Sequence, residues 1–148
     1  MASMKKTIET FFRRYEATFN ESLAGAPKAD ATAEAFADDF LAVSPQGVAP
    51  GKNDERFREV IAQGYGYYRA IGTESMRIVT LKTTSLDEYH ALVRVSWLSR
   101  YKRPDSGEVE IPFDNVYLVR TVDGATKIFA YITGDEQKAL QENGVLPQ

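Results

Sequence analysis

The sequence predicts an α+β fold, with three amphipathic helices first and then one long, curved antiparallel sheet that closes into a cone with a pocket. Three observations predict it. Apolar residues recur at helical spacing through the first part of the chain. The second half alternates apolar and polar residues in strand-length runs separated by turn residues. Asp123-Gly124 joins the last two runs, residues 108–122 and 126–135, and supplies the φ > 0 positions of a two-residue hairpin.

Ile8, Phe11, Phe12, Tyr15, Phe19 and Leu23 form one helical stripe, with Glu9, Arg13, Arg14, Glu16 and Glu21 opposite. Gly25 and Pro27 end that helix. Residues 32–37 read as a short second helix anchored by Phe36, and 40–44 as a short strand. Residues 45–51, rich in Pro and Gly, read as loop. Asn53 is the expected cap of a third helix, with Asp54 and Glu55 favouring its dipole. Its apolar face is Phe57, Val60, Ile61, Gly64, Tyr68 and Ile71, with Tyr65 and Tyr67 at a rim or interface. Gly64 and Gly66 imply close packing or a bend. Strands over 74–86 and 88–103 complete the sheet, with a turn at Pro104-Asp105-Ser106-Gly107. Residues 137–143 form a short terminal helix or tail stopped at Gly144.

The chain has 148 residues and 43% hydrophobic content, the size and composition of one domain, expected over residues 5–148. Residues 1–4 read as a cloning remnant or a disordered lead, Met4 being an alternative natural start. There is no cysteine, which excludes disulfides and thiolate chemistry and suits the cytoplasm. A net charge of −3 argues against nucleic acid. No run of about 18 apolar residues exists to cross a membrane. His90 is the only histidine and has no second ligand nearby in sequence, so neither a metal nor any other cofactor is expected.

Both faces of the late strands carry apolar groups. Ile111, Phe113, Tyr117 and Val119 share one face. Val116, Leu118 and Val122 share the other with Asp114 and Arg120. A solvated face is mostly polar, so a homodimer through the outer face is expected.

The motifs Phe36-Ala37-Asp38-Asp39-Phe40, Pro112-Phe113-Asp114-Asn115-Val116-Tyr117-Leu118 and Asp123-Gly124-Ala125-Thr126-Lys127-Ile128 stand in order along the chain. With the element order, the chain resembles the nuclear-transport-factor-2-like superfamily, in its SnoaL-like and ketosteroid-isomerase-like branches. The resemblance implies a cystatin-like α+β roll, dimeric across the outer sheet face, with an apolar cavity under the helices. In ketosteroid isomerases a first-helix tyrosine and a strand acid form an oxyanion hole while a second carboxylate moves the proton. By motif the first two correspond to Tyr15 and Asp114, and the third position is Ser44, which is no general base near neutral pH.

Two readings of each residue stand side by side. Asp114 is either a desolvated acid in the cavity or a rim carboxylate paired with Arg94, Arg100 or Arg120. Tyr15 is either a pocket donor or a core tyrosine, and Trp97 either core or pocket wall. Arg100, Lys102 and Arg103 form a solvated tip or an anion site. The expected wall is Tyr15, Phe19, Phe57, Ile61, Tyr68, Trp97, Asp114 and Ile132. Three roles are open: binding of a small hydrophobic molecule; isomerase, dehydratase or cyclase chemistry through Asp114 and Tyr15; or a protein-interaction subunit exposing Phe113, Tyr117, Phe129 and Tyr131.

Overall fold

The computed structural model describes residues 2–103 and 107–147. The elements run α1 (Ala2–Ala24), α2 (Ala29–Ala33), β1 (Phe36–Ser44), β2 (Gly47–Lys52), α3 (Glu55–Ala70), β3 (Thr73–Ser85), β4 (His90–Arg103), β5 (Gly107–Val122), β6 (Ala125–Ile132) and α4 (Glu136–Glu142). The strands form one six-stranded sheet in the order β2-β1-β6-β5-β4-β3. All neighbours are antiparallel except β1 and β6, which pair in parallel, so the sheet is mixed.

The inner face of the sheet holds the core. Ala91, Val93, Val95 and Trp97 of β4, Tyr117 and Val119 of β5 and Ile128 of β6 pack against Ile8 and Phe12 of α1. α1 is tied to the sheet through its polar side. Asn20 donates to the Met76 carbonyl at 2.7 Å and accepts from the Met76 N–H at 2.9 Å. One turn earlier Glu16 accepts from the Ile78 N–H at 2.6 Å. These bonds satisfy backbone groups on the free edge of β3 that no strand reaches. A second cluster, Tyr101, Ile111 and Leu140, lies further along the same strands under α4 and the C-terminal segment.

Several expectations are corrected. Residues 45–51 are not loop, because residues 47–52 form β2, paired with β1 from Ser44↔Gly47 to Asp39↔Lys52. Gly51 is required there by a close approach, since a Cβ at this position would lie 2.3 Å from the Phe40 ring. The second helix ends at Ala33, and Phe36 is extended and paired with Ile128. Asp54, not Asn53, caps α3 by accepting from the Phe57 N–H. Asn53 instead spends its amide on the carbonyls of Ala33 and Phe36. Tyr65 is the buried tyrosine of α3, 3% exposed, with its hydroxyl 2.7 Å from that of Thr32. Gly64 and Gly66 face open space rather than a packed neighbour.

The hairpin at Asp123-Gly124 has the expected left-handed pair, with φ of 52° and 78°. Of the turn expected at residues 104–107, only Gly107 lies within the described residues, and its φ is +79°.

Candidate functional site

Alternation along β5 decides which side chains face the helices. Ile111, Phe113, Asn115, Tyr117 and Val119 point inward, and Pro112, Asp114, Val116, Leu118 and Arg120 point outward. Asp114 is therefore on the wrong face for a partnership with Tyr15. Its side chain is 48% exposed and pairs with Arg94 at 3.7 Å across the outer surface. The inward polar residue of this motif is the next one, Asn115.

Tyr15 lies at the centre of the inner face. Its ring meets those of Trp97 at 6.4 Å, Tyr117 at 6.3 Å and Phe36 at 6.4 Å. Burial holds its phenol well above the ordinary range, reinforced by the neighbouring hydroxyls of Tyr117, Tyr65, Tyr131 and Tyr68. Phe19 and Tyr68 meet at 5.7 Å, and Phe19 also touches Tyr65 at 5.0 Å. Phe57 packs on Phe40 at 4.8 Å, and Ile61 lies half-buried one turn further along α3.

Ile132 does not join this group. It is 45% exposed and pairs with Val116 and Val43 on the outer face. The cause is a bulge at Phe129, which places Ile128 opposite Val119 but Ala130 opposite Leu118. The extra residue reverses every later side chain of β6, so Tyr131 turns inward and Ile132 outward. The expected aromatic outer patch is overturned as well: β5 alternation turns Phe113 and Tyr117 inward, the β6 bulge turns Tyr131 inward, Tyr117 is 4% exposed, and Phe113 and Tyr131 pack against the core.

Rings fill the inner face around Tyr15, and several inward side chains beside them keep accessible surface. Between the main core and the Tyr101–Ile111–Leu140 cluster, Phe113 and Asn115 point inward and remain only half-buried. Tyr131, Phe57, Ile61 and Tyr68, also on the inner side, are half-buried as well. The polar groups here are held in place. Tyr117 accepts from Trp97 Nε1 and Asn115 Nδ2, each at 3.2 Å, which leaves its own O–H as the outgoing donor. Tyr68 donates to Glu136 Oε2 at 2.9 Å. Much of Glu136 is exposed, but desolvation of its carboxyl group beside Tyr68 raises its pKa, a change only partly offset by that hydrogen bond.

Sequence reasoning missed Asn115, Tyr117, Tyr131 and Glu136 as members of this group. Simple alternation with Phe113 would have found Asn115 and Tyr117. Among the described residues no three His, Asp or Glu side chains gather closely enough to hold a metal ion.

Two surface clefts adjoin the site. One, of about 790 Å³, runs between α1, α2 and the β5–β6 turn and reaches the side of Tyr15. The other, of about 610 Å³, lies beyond Lys127 and is lined by His90 and Arg120.

Helices laid on the inner face of a six-stranded sheet make this an α+β protein of the kind described as NTF2-like with a cystatin-like fold. The chain belongs to the family described as NTF2-like protein (DUF6841), whose model matches residues 5–136. An NTF2-like protein with a cystatin-like fold from Novosphingobium aromaticivorans is 14% identical, with a TM-score of 0.69 over 97% of this chain and 89% of that one. A ketosteroid isomerase-like protein from Erwinia carotovora atroseptica is 18% identical, with a TM-score of 0.61 over 87% and 93%. Aln2 from a Streptomyces species is 10% identical, with a TM-score of 0.68 over 96% and 97%. At these identities the likeness shows the shared fold. No curated protein matches the sequence.

Proposed function

We propose that a gap between the two core clusters, on the inner face of the sheet, binds a small, largely hydrophobic molecule. One observation carries this reading: Phe113, Asn115, Tyr131, Phe57, Ile61 and Tyr68 all lie on the inner side yet keep accessible surface. Buried aromatic walls with a few placed polar groups suit such a ligand. The anchors are the Tyr117 hydroxyl, polarised by two donors, and the Asn115 amide. Trp97, the only tryptophan, pairs with Phe113 across the strands and reports on the site. The test is a titration of Trp97 fluorescence and melting temperature with steroids, polyketides and aromatic acids. Ile61→Trp, which fills the gap, should keep the fold and abolish the ligand-induced rise. If no compound acts and a crystal structure shows the gap closed by side chains, the reading fails.

Catalysis is the second reading, and one observation favours it. Glu136 meets Tyr68 at the edge of the gap with a raised pKa, the setting of a general acid. It takes the place that Asp114, facing outward, does not fill. Glu136→Gln should then remove turnover of a found substrate while leaving its binding intact.

The outer face supports self-association. Leu41, Val43, Leu92, Leu98, Val116, Leu118 and Ile132 share it, and Leu41 is 44% exposed. Two copies meeting here would bury an apolar band of the kind that marks interaction surfaces. No helix among the described residues is long and apolar enough to cross a membrane.

A further inference from the structure

The outer face ends, beyond Leu118, in a row of basic groups that ligand binding on the inner face does not use. His90, Arg120 and Lys127 are direct cross-strand partners on β4, β5 and β6. Like charges placed directly opposite each other on a sheet are destabilising, so Arg120 beside Lys127 is a costly arrangement. The surroundings do not neutralise it. Arg120 donates to His90 Nε2 at 2.8 Å and lies 5.1 Å over the Tyr89 ring. Lys127 donates to the Glu34 carbonyl. Glu34 and Asp38 line the same cleft, but among the described residues no carboxylate comes within ion-pair distance of Arg120 or Lys127. Arg58, the third cation of the cleft, is already matched by Asp30 at 2.9 Å.

The row is also held rigid. Arginine has donors only, so His90 Nε2 must accept, and the ring proton sits on Nδ1. Nδ1 faces both carboxylate oxygens of Asp87, at 2.8 and 3.0 Å. Asp87 itself accepts from the backbone N–H groups of Tyr89 and His90, each at 2.8 Å. This chain fixes one edge of the guanidinium and leaves its other N–H groups free to bind. The remaining walls include Phe36, Val122, Ala125 and Phe129, which are apolar.

We propose that the cleft of about 610 Å³ bounded by His90, Arg120 and Lys127 binds a small oxyanion, a carboxylate or phosphate group carried on an apolar body. Arg120 supplies a bidentate fork and Lys127 a point charge on the other side. The basic row lies on the outer face of the sheet, and the proposal does not depend on the inner-face reading.

The single histidine makes the test clean, because its ring nitrogens give one set of NMR signals. The full chain is titrated with inorganic phosphate and with benzoate, using chloride at matched ionic strength as reference. A saturable change in the His90 ring signals with either probe, absent with chloride, is expected. Phosphate and benzoate differing in affinity assigns the ligand class. Arg120→Gln keeps a donor for His90 but removes the charge, and should weaken binding at least tenfold. Lys127→Gln should do the same, and it carries the test alone if Arg120→Gln does not fold. Lys102→Gln, on the same sheet face but outside the cleft, should change nothing. No saturable change, a change that chloride reproduces, or unaltered affinity in the charge-removing variants overturns the proposal.

Discussion

Asn20→Ala probes how the first helix is held over the sheet. In the folded protein the Asn20 side chain makes two bonds to Met76, of 2.7 and 2.9 Å, across 56 residues of sequence. Each is worth about 1 kcal/mol net, and orphaning the part-buried Met76 groups adds up to about 1 kcal/mol more. Alanine recovers about 0.5 kcal/mol through its better helix propensity. The expected loss is therefore about 2 kcal/mol, or roughly 4–8 °C for a domain of this size. Urea denaturation followed by Trp97 fluorescence and far-ultraviolet circular dichroism measures it. Asn20→Asp adds a second handle. It keeps the acceptor for the Met76 N–H but sets a carboxylate against the Met76 carbonyl. That variant should be at least as unstable at neutral pH and should recover relative to the native protein on acidification, as the protonated acid becomes a donor. A loss below about 0.5 kcal/mol for Asn20→Ala would refute the reasoning, because it would mean water replaces the staple at no cost.

Other outcomes rest on the same geometry. Gly51→Ala pushes a methyl into the Phe40 ring and should cost about 1–3 kcal/mol in the same urea assay. The phenols of Tyr15, Tyr65, Tyr68, Tyr101, Tyr117 and Tyr131 are all raised by burial. A raised folded pKa gives stability that is complete below the unfolded value of 10.0 and is lost as pH climbs above it. Absorbance at the phenolate band should therefore show these six ionising with alkaline unfolding rather than before it. Glu136 is likewise raised, so the native protein should lose stability relative to Glu136→Gln as pH rises from its unfolded value of 4.5. Leu118→Glu, in the centre of the outer apolar band, should convert a dimer to monomer by light scattering if two copies meet there.

How much of the fold and the site was legible in the sequence depended on whether local pattern or tertiary geometry decided each point. The stripe of α1, the alternation of β4 and β5 and the Asp123-Gly124 turn are local, and all three are found where expected. β2 was hidden because Pro50 and two glycines resemble a loop, and only pairing with β1 makes them a strand. Asn53 and Asp54 are equivalent as caps by chemistry. The choice between them was made by distant carbonyls at Ala33 and Phe36. For Asp114, alternation already set it opposite Tyr117, while the family motif drew it inward, and the local pattern was the better guide. Ile132 was beyond reach because a bulge leaves no signature in an apolar run.

The contacts that anchor the first helix also guard against aggregation. A sheet with free borders invites another chain to add a strand. On one border Asn20 occupies the amide and carbonyl of Met76 and Glu16 the amide of Ile78, and the extra residue Val79 bends the remainder of β3. On the opposite border Pro50 deletes a donor from a strand of only six residues. Variants that loosen the helix should therefore fail first by intermolecular strand addition, with turbidity that rises with protein concentration before the global melting transition is reached.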